Sequence, residues 1–386
     1  LIFGLKMIRE LGGRIAITTA TLAPFIKELI EKEVGEFAYG VFCDREQVRH
    51  KVKMIPTMMD AETIAKKFRQ CLSEEETAGA AGEDGFAKIR RLSGKILVIC
   101  NTIQKAQRMH EELGGLIGEE NRDKVHLLHS KFIQQDRAAK ENAICECGVT
   151  EHEETVIWIS TSLVEASLDI DFDYLFTELQ DIPSLLQRMG RVNRKGKKAV
   201  EDYNCFVYTV IDDKYLELPY VPGREQKGTN TGFIDRDIFA LSKLALEETL
   251  KEASGGTLSE GRKIEMMERY FTTEKLSNTN YMQKYRKQME KLKDIVLYER
   301  NRSEIKIRED IFTKDVIPLS VYTLYQQEIE SGAKRIRSSN TNALEKIKGR
   351  NRIMQYTVPV QNYIVAEYEK AVRNGLSLSS FLPVHI

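Results

Sequence analysis

The chain has 386 residues, 42% of them hydrophobic, and its 58 Lys and Arg residues balance 58 Asp and Glu residues. This length predicts two or three domains, and the composition excludes collagen, a coiled-coil fibre and a fully disordered chain. No apolar run reaches the roughly 18 residues of a membrane-spanning helix, so we expect no membrane partner. Zero formal net charge excludes a uniformly basic nucleic-acid coat, but it does not exclude local basic clusters.

Short apolar or β-branched runs alternate with segments of helical period as far as residue 210. The predicted strands are residues 14–19, 48–55, 95–100, 124–128, 155–160, 174–177 and 203–210. The predicted helices are residues 24–32, 60–71, 103–113, 134–144 and 184–189. This alternation predicts an α/β fold with a parallel sheet that is covered by helices on both faces. In such sheets the loops at the carboxyl ends of the strands carry the chemistry.

Two segments have the composition of irregular structure. Residues 73–85 are acidic and small, which predicts a mobile surface loop, and residues 216–232 have the Pro, Gly and polar composition of a linker. Beyond the linker, residues 235–253 and 281–298 are predicted amphipathic helices. We therefore expect a separate, mainly helical C-terminal module.

The six cysteines are scattered without a C-x-x-C pair, and we see no signal peptide ahead of them. This usage predicts a reduced, cytoplasmic protein. Cys145, Cys147 and His152, with His129 upstream, are the nearest approach to a metal-binding set. Because C-x-C is a poor zinc knuckle and no second pair follows, we expect no metal site in this chain.

The strongest chemical motif is QRMGRVNR at residues 187–194. Arg188, Arg191 and Arg194 recur every three residues, which places them on one side of a helix or helical turn, and Gly190 allows close backbone approach. A planar, permanently charged guanidinium suits the charge that develops on a transferring phosphoryl group. The alternative is that these arginines hold DNA phosphates or pair with acids.

Small polar residues follow three predicted strands, where the carboxyl ends of parallel strands would share one rim of the sheet. These residues are Asn101 and Thr102, His129 and Ser130, and Thr161. Hydroxyl and N–H groups at a strand end that opens a helix suit a phosphate. A fixed carboxylate such as Asp169 suits a ribose hydroxyl, although Glu165, Asp169, Asp171 and Asp173 could instead cap or pair.

Five segments in order carry a resemblance to helicase motifs III to VI of superfamily 2. They are TTATL (18–22), LVICNT (97–102), LLHSKFIQQDR (127–137), STSLVEASLDIDFD (160–173) and LLQRMGRVNR (185–194). Within that superfamily, EASLDIDFD and the H-S-x-F with a downstream D-R resemble the signature helicase-nuclease of type I CRISPR systems. The resemblance covers residues 14–210. What we expect of residues 211–386 rests only on their position in the family's architecture.

The resemblance implies two RecA-like domains that bind ATP with Mg²⁺ at their interface and thread single-stranded DNA across their top. It also implies recruitment by a crRNA-guided surveillance complex. Residues 1–45 would be the tail of the first RecA-like domain, residues 46–215 the second, and residues 216–386 a linker and C-terminal accessory domain. The basic cluster of the accessory domain, which we expect to close over the DNA strand, comprises Lys334, Arg335, Arg337, Lys346, Lys348, Arg350 and Arg352.

The resemblance also assigns roles to single residues. Arg191 and Arg194 would be arginine fingers, with Gln187 as a further catalytic residue that helps Arg188 to position them. Asp169, Arg188 and Gly190 would lie on the nucleotide side. The residues implied to hold single-stranded DNA are Asn101, Thr102, His129, Ser130 and Thr161. The residues implied to couple nucleotide state to DNA grip are Thr19 and Thr21.

The chain departs from the family pattern in three places. It has no G-x-x-x-x-G-K-[ST], no D-E-x-H and no histidine-aspartate nuclease motif. We therefore expect the C-terminal portion of a helicase-nuclease, with the magnesium ligands in a missing N-terminal part. Such a fragment should be inactive alone and should leave Ile15, Ile17 and Phe25 without their domain. The alternatives are a repair or restriction translocase, and a non-catalytic nucleic-acid binding module on a RecA-like fold.

Overall fold

The computed structural model describes residues 2–19, 22–80, 94–149, 154–165, 168–219, 221, 232–293, 313–373 and 381–383. The chain divides into two compact units, one of Leu1–Leu127 with Ile144–Arg300 and one of Leu128–Ala143 with Asn301–Ile386. This division does not coincide with the domain bounds expected at residues 45 and 215, which stay a prediction. None of the described helices carries an apolar stretch long enough to cross a lipid bilayer.

The strands and helices follow the predicted alternation closely. The strands of the described chain are β1 (Val48–Ile55), β2 (Lys95–Ile99), β3 (Val125–Leu128), β4 (Val156–Ser160), β5 (Tyr174–Glu178), β6 (Cys205–Tyr208), β7 (Thr257–Ser259), β8 (Thr313–Pro318), β9 (Val358–Gln361) and β10 (Phe381–Pro383). Its helices are α1 (Ile2–Glu10), α2 (Pro24–Glu33), α3 (Ala61–Ala80), α4 (Ile103–Leu116), α5 (Gln134–Cys147), α6 (Ile182–Met189), α7 (Arg236–Glu252), α8 (Glu260–Tyr270), α9 (Thr273–Leu276), α10 (Asn280–Lys293), α11 (Leu319–Leu324), α12 (Gln326–Arg337), α13 (Ala343–Met354) and α14 (Asn362–Arg373).

The main sheet has seven strands in the order β3-β4-β2-β5-β6-β1-β7. The pairs β4-β2, β2-β5, β5-β6 and β6-β1 are parallel, and β7 closes the edge antiparallel to β1. In β2, Ile96 and Val98 belong to the core cluster that includes Phe68 of α3 and Met109 of α4. Leu97, on the opposite face, is also fully buried. Because side chains alternate between faces along a strand, burial on both sides confirms the predicted layered α/β fold.

The N-terminal segment differs from the prediction. Residues 14–19 are not a strand, and Ile15 and Ile17 are exposed. The prediction of a strand was wrong because an extended segment needs a neighbouring ladder, and in the described part of the chain neither sheet includes it. The expectation for Phe25 was also wrong, because Phe25 is buried and packs edge-to-face on Tyr281 with ring centroids 5.7 Å apart.

The acidic segment predicted as a loop is partly helical. Residues 73–80 continue α3, because Glu and Ala are strong helix formers and extend the amphipathic turn before them. Residues 81–85 of the predicted loop lie outside the described residues. Helix α7 confirms the predicted helix at 235–253, and α10 confirms the start of the predicted helix at 281–298.

The C-terminal part is mainly helical, as predicted, but it also contains strands that the sequence did not indicate. In the second unit β10-β8-β9 form an antiparallel sheet. Helices α12 and α13 pack closely at Gly332 and Gly349. A Cβ atom on Gly332 would lie 3.0 Å from the carbonyl oxygen of Gly349, and one on Gly349 would lie 2.9 Å from that of Gly332. Only glycine lets these backbones approach so closely.

Candidate functional site

The candidate site is built on the loop of residues 187–198, which we call the arginine loop. It begins in α6, where Asp181 caps the helix by accepting a hydrogen bond from the Ser184 N–H at 2.7 Å. The buried residues of α6 fix its orientation, and Gln187 is exposed. Gly190 ends the helix with an ordinary φ of −60°, and a Cβ there would lie 3.2 Å from the carbonyl oxygen of Gln187. Glycine is therefore needed at position 190 because a side chain would not fit beside that carbonyl, and not because of an unusual backbone angle.

The arginine loop is held against residues 171–173 by a short parallel bridge. The Phe172 N–H donates to the Arg191 carbonyl at 2.9 Å, and the Asn193 N–H donates to the Phe172 carbonyl at 3.0 Å. Asn193 adopts a left-handed φ of 43°, and its buried side chain bonds both the N–H and the carbonyl of Lys198. These contacts make the loop a fixed element rather than a loose connection.

Arg188 lies at the centre of the site with 1% of its side chain exposed. Its guanidinium donates to Glu165 Oε1 at 2.7 Å, Asn101 Oδ1 at 3.1 Å, Thr177 Oγ1 at 3.0 Å and the Glu178 carbonyl at 2.7 Å. It also donates to Gln180 at 3.1 Å. These partners follow or end β2, β4 and β5, so one buried side chain joins three strand ends.

Two carboxyl groups lie close to that guanidinium, a largely buried one on Glu165 and a buried one on Glu178. Burial raises the pKa of Glu165, and the charge of Arg188 opposes this rise. Burial likewise raises the pKa of Glu178, whose Oε2 accepts a hydrogen bond from the Asn101 N–H at 2.7 Å. The cation therefore stabilises carboxylates that burial alone would destabilise.

Arg191 spans the turn that follows β4. Its Nη1 donates to the Leu168 carbonyl at 2.6 Å, its Nη2 donates to the Glu165 carbonyl, and its buried Nε has no hydrogen-bond partner among the described residues. Burial, followed by the neighbouring charge of Arg194, lowers the pKa of Arg191 from its ordinary value. Arg191 thus joins Glu165 and Leu168 to the arginine loop.

The structure brings Arg194 and Asp169 together at the surface. Arg194 Nε lies 3.0 Å from Asp169 Oδ1, with side chains 39% and 84% exposed. The Arg194 N–H donates to Asp171 Oδ1 at 2.9 Å, which fixes the backbone below an accessible guanidinium. A predicted finger and the predicted nucleotide-side carboxylate are therefore direct neighbours.

Asp171 and Asp173 have the structural role that the sequence left open. Buried Lys198 Nζ lies 2.6 Å from Asp173 Oδ1 and 3.3 Å from Asp171 Oδ1. Lys95 of the G-K pair at 94–95 is also internal, since its Nζ donates to the Val149 carbonyl at 2.8 Å. Within the described residues, no three His, Cys, Asp or Glu side chains gather as a metal site.

Asn101, Thr102 and Thr161 follow the neighbouring parallel strands β2 and β4. The Asn101 amide donates to the Leu179 carbonyl at 2.9 Å and accepts from Arg188, so it is engaged internally. Thr102 caps α4 by accepting from the Lys105 N–H at 3.1 Å, which leaves its hydroxyl proton free to donate. Thr161 is 8% exposed.

His129 and Ser130 fall in the second unit. The His129 ring stacks on Phe132 with centroids 4.3 Å apart, and its Nδ1 accepts from the Lys131 N–H at 3.2 Å. Burial lowers the pKa of His129, so its imidazole is neutral near pH 7. Thr19 is exposed, and Thr21 lies outside the described residues.

Sequence reasoning missed Arg49 and His50 of β1, which contact the arginine loop from behind. Arg49 Nη1 donates to the Arg194 carbonyl at 2.9 Å, and His50 Nε2 lies 2.7 Å from the Met189 carbonyl oxygen. A signal was present, because His50 shares a strand face with Val52 and Met54 and a histidine there is a buried polar group.

Solved structures resemble this fold over most of its length. A crystal structure of T. fusca Cas3-AMPPNP matches with a TM-score of 0.56 at 14% identity, covering 93% of this chain and 45% of that chain. A crystal structure of a CRISPR-associated protein matches with a TM-score of 0.55 at 16% identity, covering 94% and 43%. The sheet order and these matches place the fold in the RecA-like class.

Sequence comparisons show which family of proteins this chain is similar to. Residues 92–197 match the family model described as CRISPR-associated nuclease/helicase Cas3, C-terminal. The CRISPR-associated nuclease/helicase Cas3 of Methanothermobacter thermautotrophicus is 26% identical over 290 residues, 70% of this chain and 32% of that relative. The one from Streptococcus thermophilus is 38% identical over 120 residues, 31% of this chain and 13% of that relative. The chain thus spans a third or less of these relatives, and these matches show that it is similar to the C-terminal part of Cas3-type CRISPR helicases.

Proposed function

We propose that this chain is the C-terminal part of an ATP-dependent DNA helicase of CRISPR antiviral defence and supplies its arginine fingers and single-strand contacts. The observation that carries the proposal is the exposed Arg194–Asp169 pair on a loop whose other two arginines are built into the fold. A loop fixed by internal contacts that presents one accessible guanidinium has the form of a preorganised phosphate ligand.

The residues present fit a nucleotide that approaches the arginine loop. Arg194 can exchange the exposed Asp169 carboxylate for a phosphate at little energetic cost, because exposed ion pairs are weak. Arg191 has a buried Nε–H without a partner among the described residues. When bound, ATP supplies the phosphoryl group whose transfer drives movement, and the two arginines stabilise the charge on that group. Gln187, exposed one turn before Arg191, would contact the same ligand.

Arg188 and Gly190 would act on the nucleotide indirectly. Every nitrogen of the Arg188 guanidinium already donates to protein oxygens, so its proposed role is to hold the three strand ends in place. We propose that the Mg²⁺ ligands belong to a Walker-bearing RecA-like domain, because the acids beside the arginines, Asp171 and Asp173, are both paired with buried Lys198. A chain without that domain would not hydrolyse ATP.

Single-stranded DNA is the proposed substrate. Thr102 offers a free hydroxyl proton at the end of β2, and Thr161 and Ser130 are placed by sequence at the ends of β4 and β3. Asn101 would position Thr102 through its contact with Arg188. His129 is 4% exposed and stacks on Phe132, so it would act by holding in place the segment that carries Ser130. Thr19 and Thr21 would couple nucleotide state to this grip.

The second unit has a basic surface on α12 and α13, which we propose as a further contact for single-stranded DNA. Arg337 and Arg350 are exposed and make no ion pair within the residues that the structure describes, whereas Arg335 and Lys348 lie 3.6 Å and 2.9 Å from Glu345. We expect Arg337→Gln with Arg350→Gln to lower single-strand affinity and to reduce the salt slope by about 1.4, or about 0.7 for each phosphate contact. The matched control replaces Lys251 and Arg269 of the first unit, which pair with Glu247 and Glu252 at 2.8 Å.

The decisive experiment measures ATP hydrolysis by this chain joined to a Walker-bearing RecA-like domain, with and without single-stranded DNA. An arginine finger contributes a factor of about 10³ to 10⁵, so Arg194→Ala should abolish turnover and Arg194→Lys should restore little of it. Arg236→Ala is a matched control, because Arg236 pairs with Asp213 at 2.8 Å with side chains 32% and 80% exposed. Full turnover in Arg194→Ala with DNA binding intact would favour a non-catalytic binding module.

Recruitment by a crRNA-guided surveillance complex and a cytoplasmic location are parts of the same proposal. They rest on the Cas3-like C-terminal segment at residues 92–197 and on six free cysteines. A repair or restriction translocase would use the same arginines. Pull-down of the joined protein by a DNA-bound surveillance complex, with a repair helicase as a negative control, distinguishes the two.

A further inference from the structure

A chain of buried polar groups reaches the arginine loop from β1 and α8. His50 is fully buried, and its Nε2 lies 2.7 Å from the Met189 carbonyl oxygen and 2.8 Å from that of Val192. Both partners are acceptors, so Nε2 must carry the proton. Nδ1 is therefore an acceptor, and Lys263 Nζ donates to it at 2.7 Å.

Lys263 is itself buried and is oriented by Glu260, whose Oε1 lies 2.6 Å from its Nζ. The same oxygen accepts from Arg49 Nε at 2.9 Å, and Arg49 Nη1 donates to the Arg194 carbonyl at 2.9 Å. Three loop carbonyls, those of residues 189, 192 and 194, are thus held by side chains of β1, and those side chains are held by the first turn of α8.

The backbone attaches α8 to the same place. The Glu260 N–H donates to the Gln47 carbonyl at 3.0 Å, the Gly261 N–H donates to the Arg45 carbonyl at 2.9 Å, and β7 pairs with β1. A Cβ on Gly261 would lie 3.0 Å from the Arg45 carbonyl oxygen, so this glycine allows the close approach. A shift of α8 therefore cannot occur without moving Lys263 and the His50 ring.

We propose that His50, Lys263 and Arg49 are positioning residues through which α8, a part of the chain beyond the helicase motifs, sets the geometry of Arg191 and Arg194. This inference rests on the proposed function of those two arginines. The carbonyls of residues 189, 192 and 194 flank both arginines, so their hydrogen bonds fix the backbone from which the guanidinium groups project. A displacement of about 1 Å in a catalytic group can cost about 10²-fold in rate.

The charge state of His50 is part of this device. The charged groups that face it are Lys263, Arg49 and Glu260, two cations and one anion, and burial followed by Lys263 holds the pKa of His50 well below its usual range. A protonated ring would place an N–H against the Lys263 ammonium. The neutral Nε2–H tautomer is the one form that satisfies all the contacts.

The test compares four variants of this chain by hydrogen exchange in the peptide covering residues 187–198. His50→Phe and Lys263→Met should speed exchange there at least tenfold, while amides of β2 and β4 keep wild-type protection. His50→Gln should rescue protection, because its amide both donates and accepts. Lys251→Met is the matched control, since Lys251 forms an exposed pair with Glu247 at 2.8 Å. Unchanged exchange in the loop, or an equal increase throughout the first unit, would overturn the proposal.

Two further measurements separate positioning from general stability. Nitrogen-15 NMR of the histidine rings should show His50 as the Nε2–H tautomer, and the Nδ1–H tautomer would contradict the proposal. In the Walker-bearing fusion, Lys263→Met should lower kcat for ATP about 10- to 100-fold with KM nearly unchanged. If Arg194→Ala retains full turnover while Lys263→Met still loosens the loop, the arginine-finger function fails and the positioning contact stands. If Arg194→Ala abolishes turnover and Lys263→Met changes neither kcat nor exchange, the positioning proposal alone fails.

Discussion

Replacing Arg188 with methionine should destabilise the first unit far more than replacing an exposed arginine. Arg188→Met removes donors from five protein partners and takes from Glu165 and Glu178 the cation that they share, so Glu165 keeps only Arg191 and Glu178 keeps Lys105. Removing one partner of a buried ion pair costs about 3–5 kcal/mol. The individual hydrogen bonds are not additive to this figure, because all five belong to one side chain.

Urea unfolding followed by circular dichroism gives the measurement, with the first-unit transition identified by the fluorescence of Trp158 in β4. Arg122→Met is the matched control, because Arg122 pairs with Glu119 at the surface and should contribute less than about 1 kcal/mol. Adding Glu165→Gln to Arg188→Met should recover part of the loss, since the neutral amide no longer needs a counterion. The loss should also shrink from pH 8 to pH 5, because burial has already raised the pKa of Glu165 and protonation relieves the unpaired charge.

Equal free energies of unfolding for Arg188→Met and Arg122→Met would contradict an internal role for Arg188. That role would also be refuted if Glu165→Gln destabilised the Arg188→Met variant further, because that result would mean that Glu165 is stabilised by some other group. Either outcome would remove the argument that Arg188 is internal to the fold, and it would become a candidate for direct contact with the nucleotide.

Three further predictions concern different parts of the molecule. The free energy of unfolding should fall as pH drops below about 6.5, because the pKa of His50 is lower in the folded chain than in the unfolded chain, so only the unfolded chain gains a proton there. Thermal melts should show that the melting temperature of His50→Gln depends less on pH in this range. Gly332→Val should lower the free energy of unfolding of the second unit by about 1–3 kcal/mol, because the valine side chain would clash with the Gly349 carbonyl. Limited proteolysis should then cut the second unit before the first. Arg194→Ala should change the free energy of unfolding by less than about 1 kcal/mol, because the ion pair between Arg194 and Asp169 is exposed. Calorimetry should therefore show the same unfolding transition as in the wild type, although ATP turnover is lost.

Most of the main sheet could be predicted from the sequence because its strands are short, continuous apolar runs. Residues 48–55 were predicted with the same bounds as β1, and β2, β4 and β5 differ by one residue at one end. Four of the described strands, β7 to β10, escaped prediction. β7 and β10 have three residues each and β9 has four, too few to show alternation, and in the six-residue β8 the charged Lys314 and Asp315 interrupt the apolar run. The strand predicted at 14–19 failed for a different reason, since pairing is a property of the sheet and not of one segment.

The residue types of the candidate site were predictable, but their separate roles were not. Arg188 meets Asn101 across 87 residues of sequence, and Lys263 meets His50 across 213, so no local pattern could reveal either contact. The regular spacing of three arginines suggested one shared face. Helix α6 ends at Met189, however, and the chain then turns along residues 171–173, which gives each arginine a different environment.

The three arginines form a sequence of decreasing burial that explains why the loop needs all of them. Arg188 is internal and joins the strand ends, Arg191 is mostly buried and ties the turn after β4, and Arg194 is accessible. A guanidinium that binds a phosphate in a fixed direction needs a backbone that keeps its position while negative charge develops on the transferring phosphoryl group. Arg188 and Arg191 stabilise the loop through their contacts with the ends of β2, β4 and β5. His50 and Arg49 of β1 stabilise it through hydrogen bonds with its backbone carbonyls. Arg194 can then act as a ligand from a backbone that the contacts of Arg188 and Arg191 hold in place.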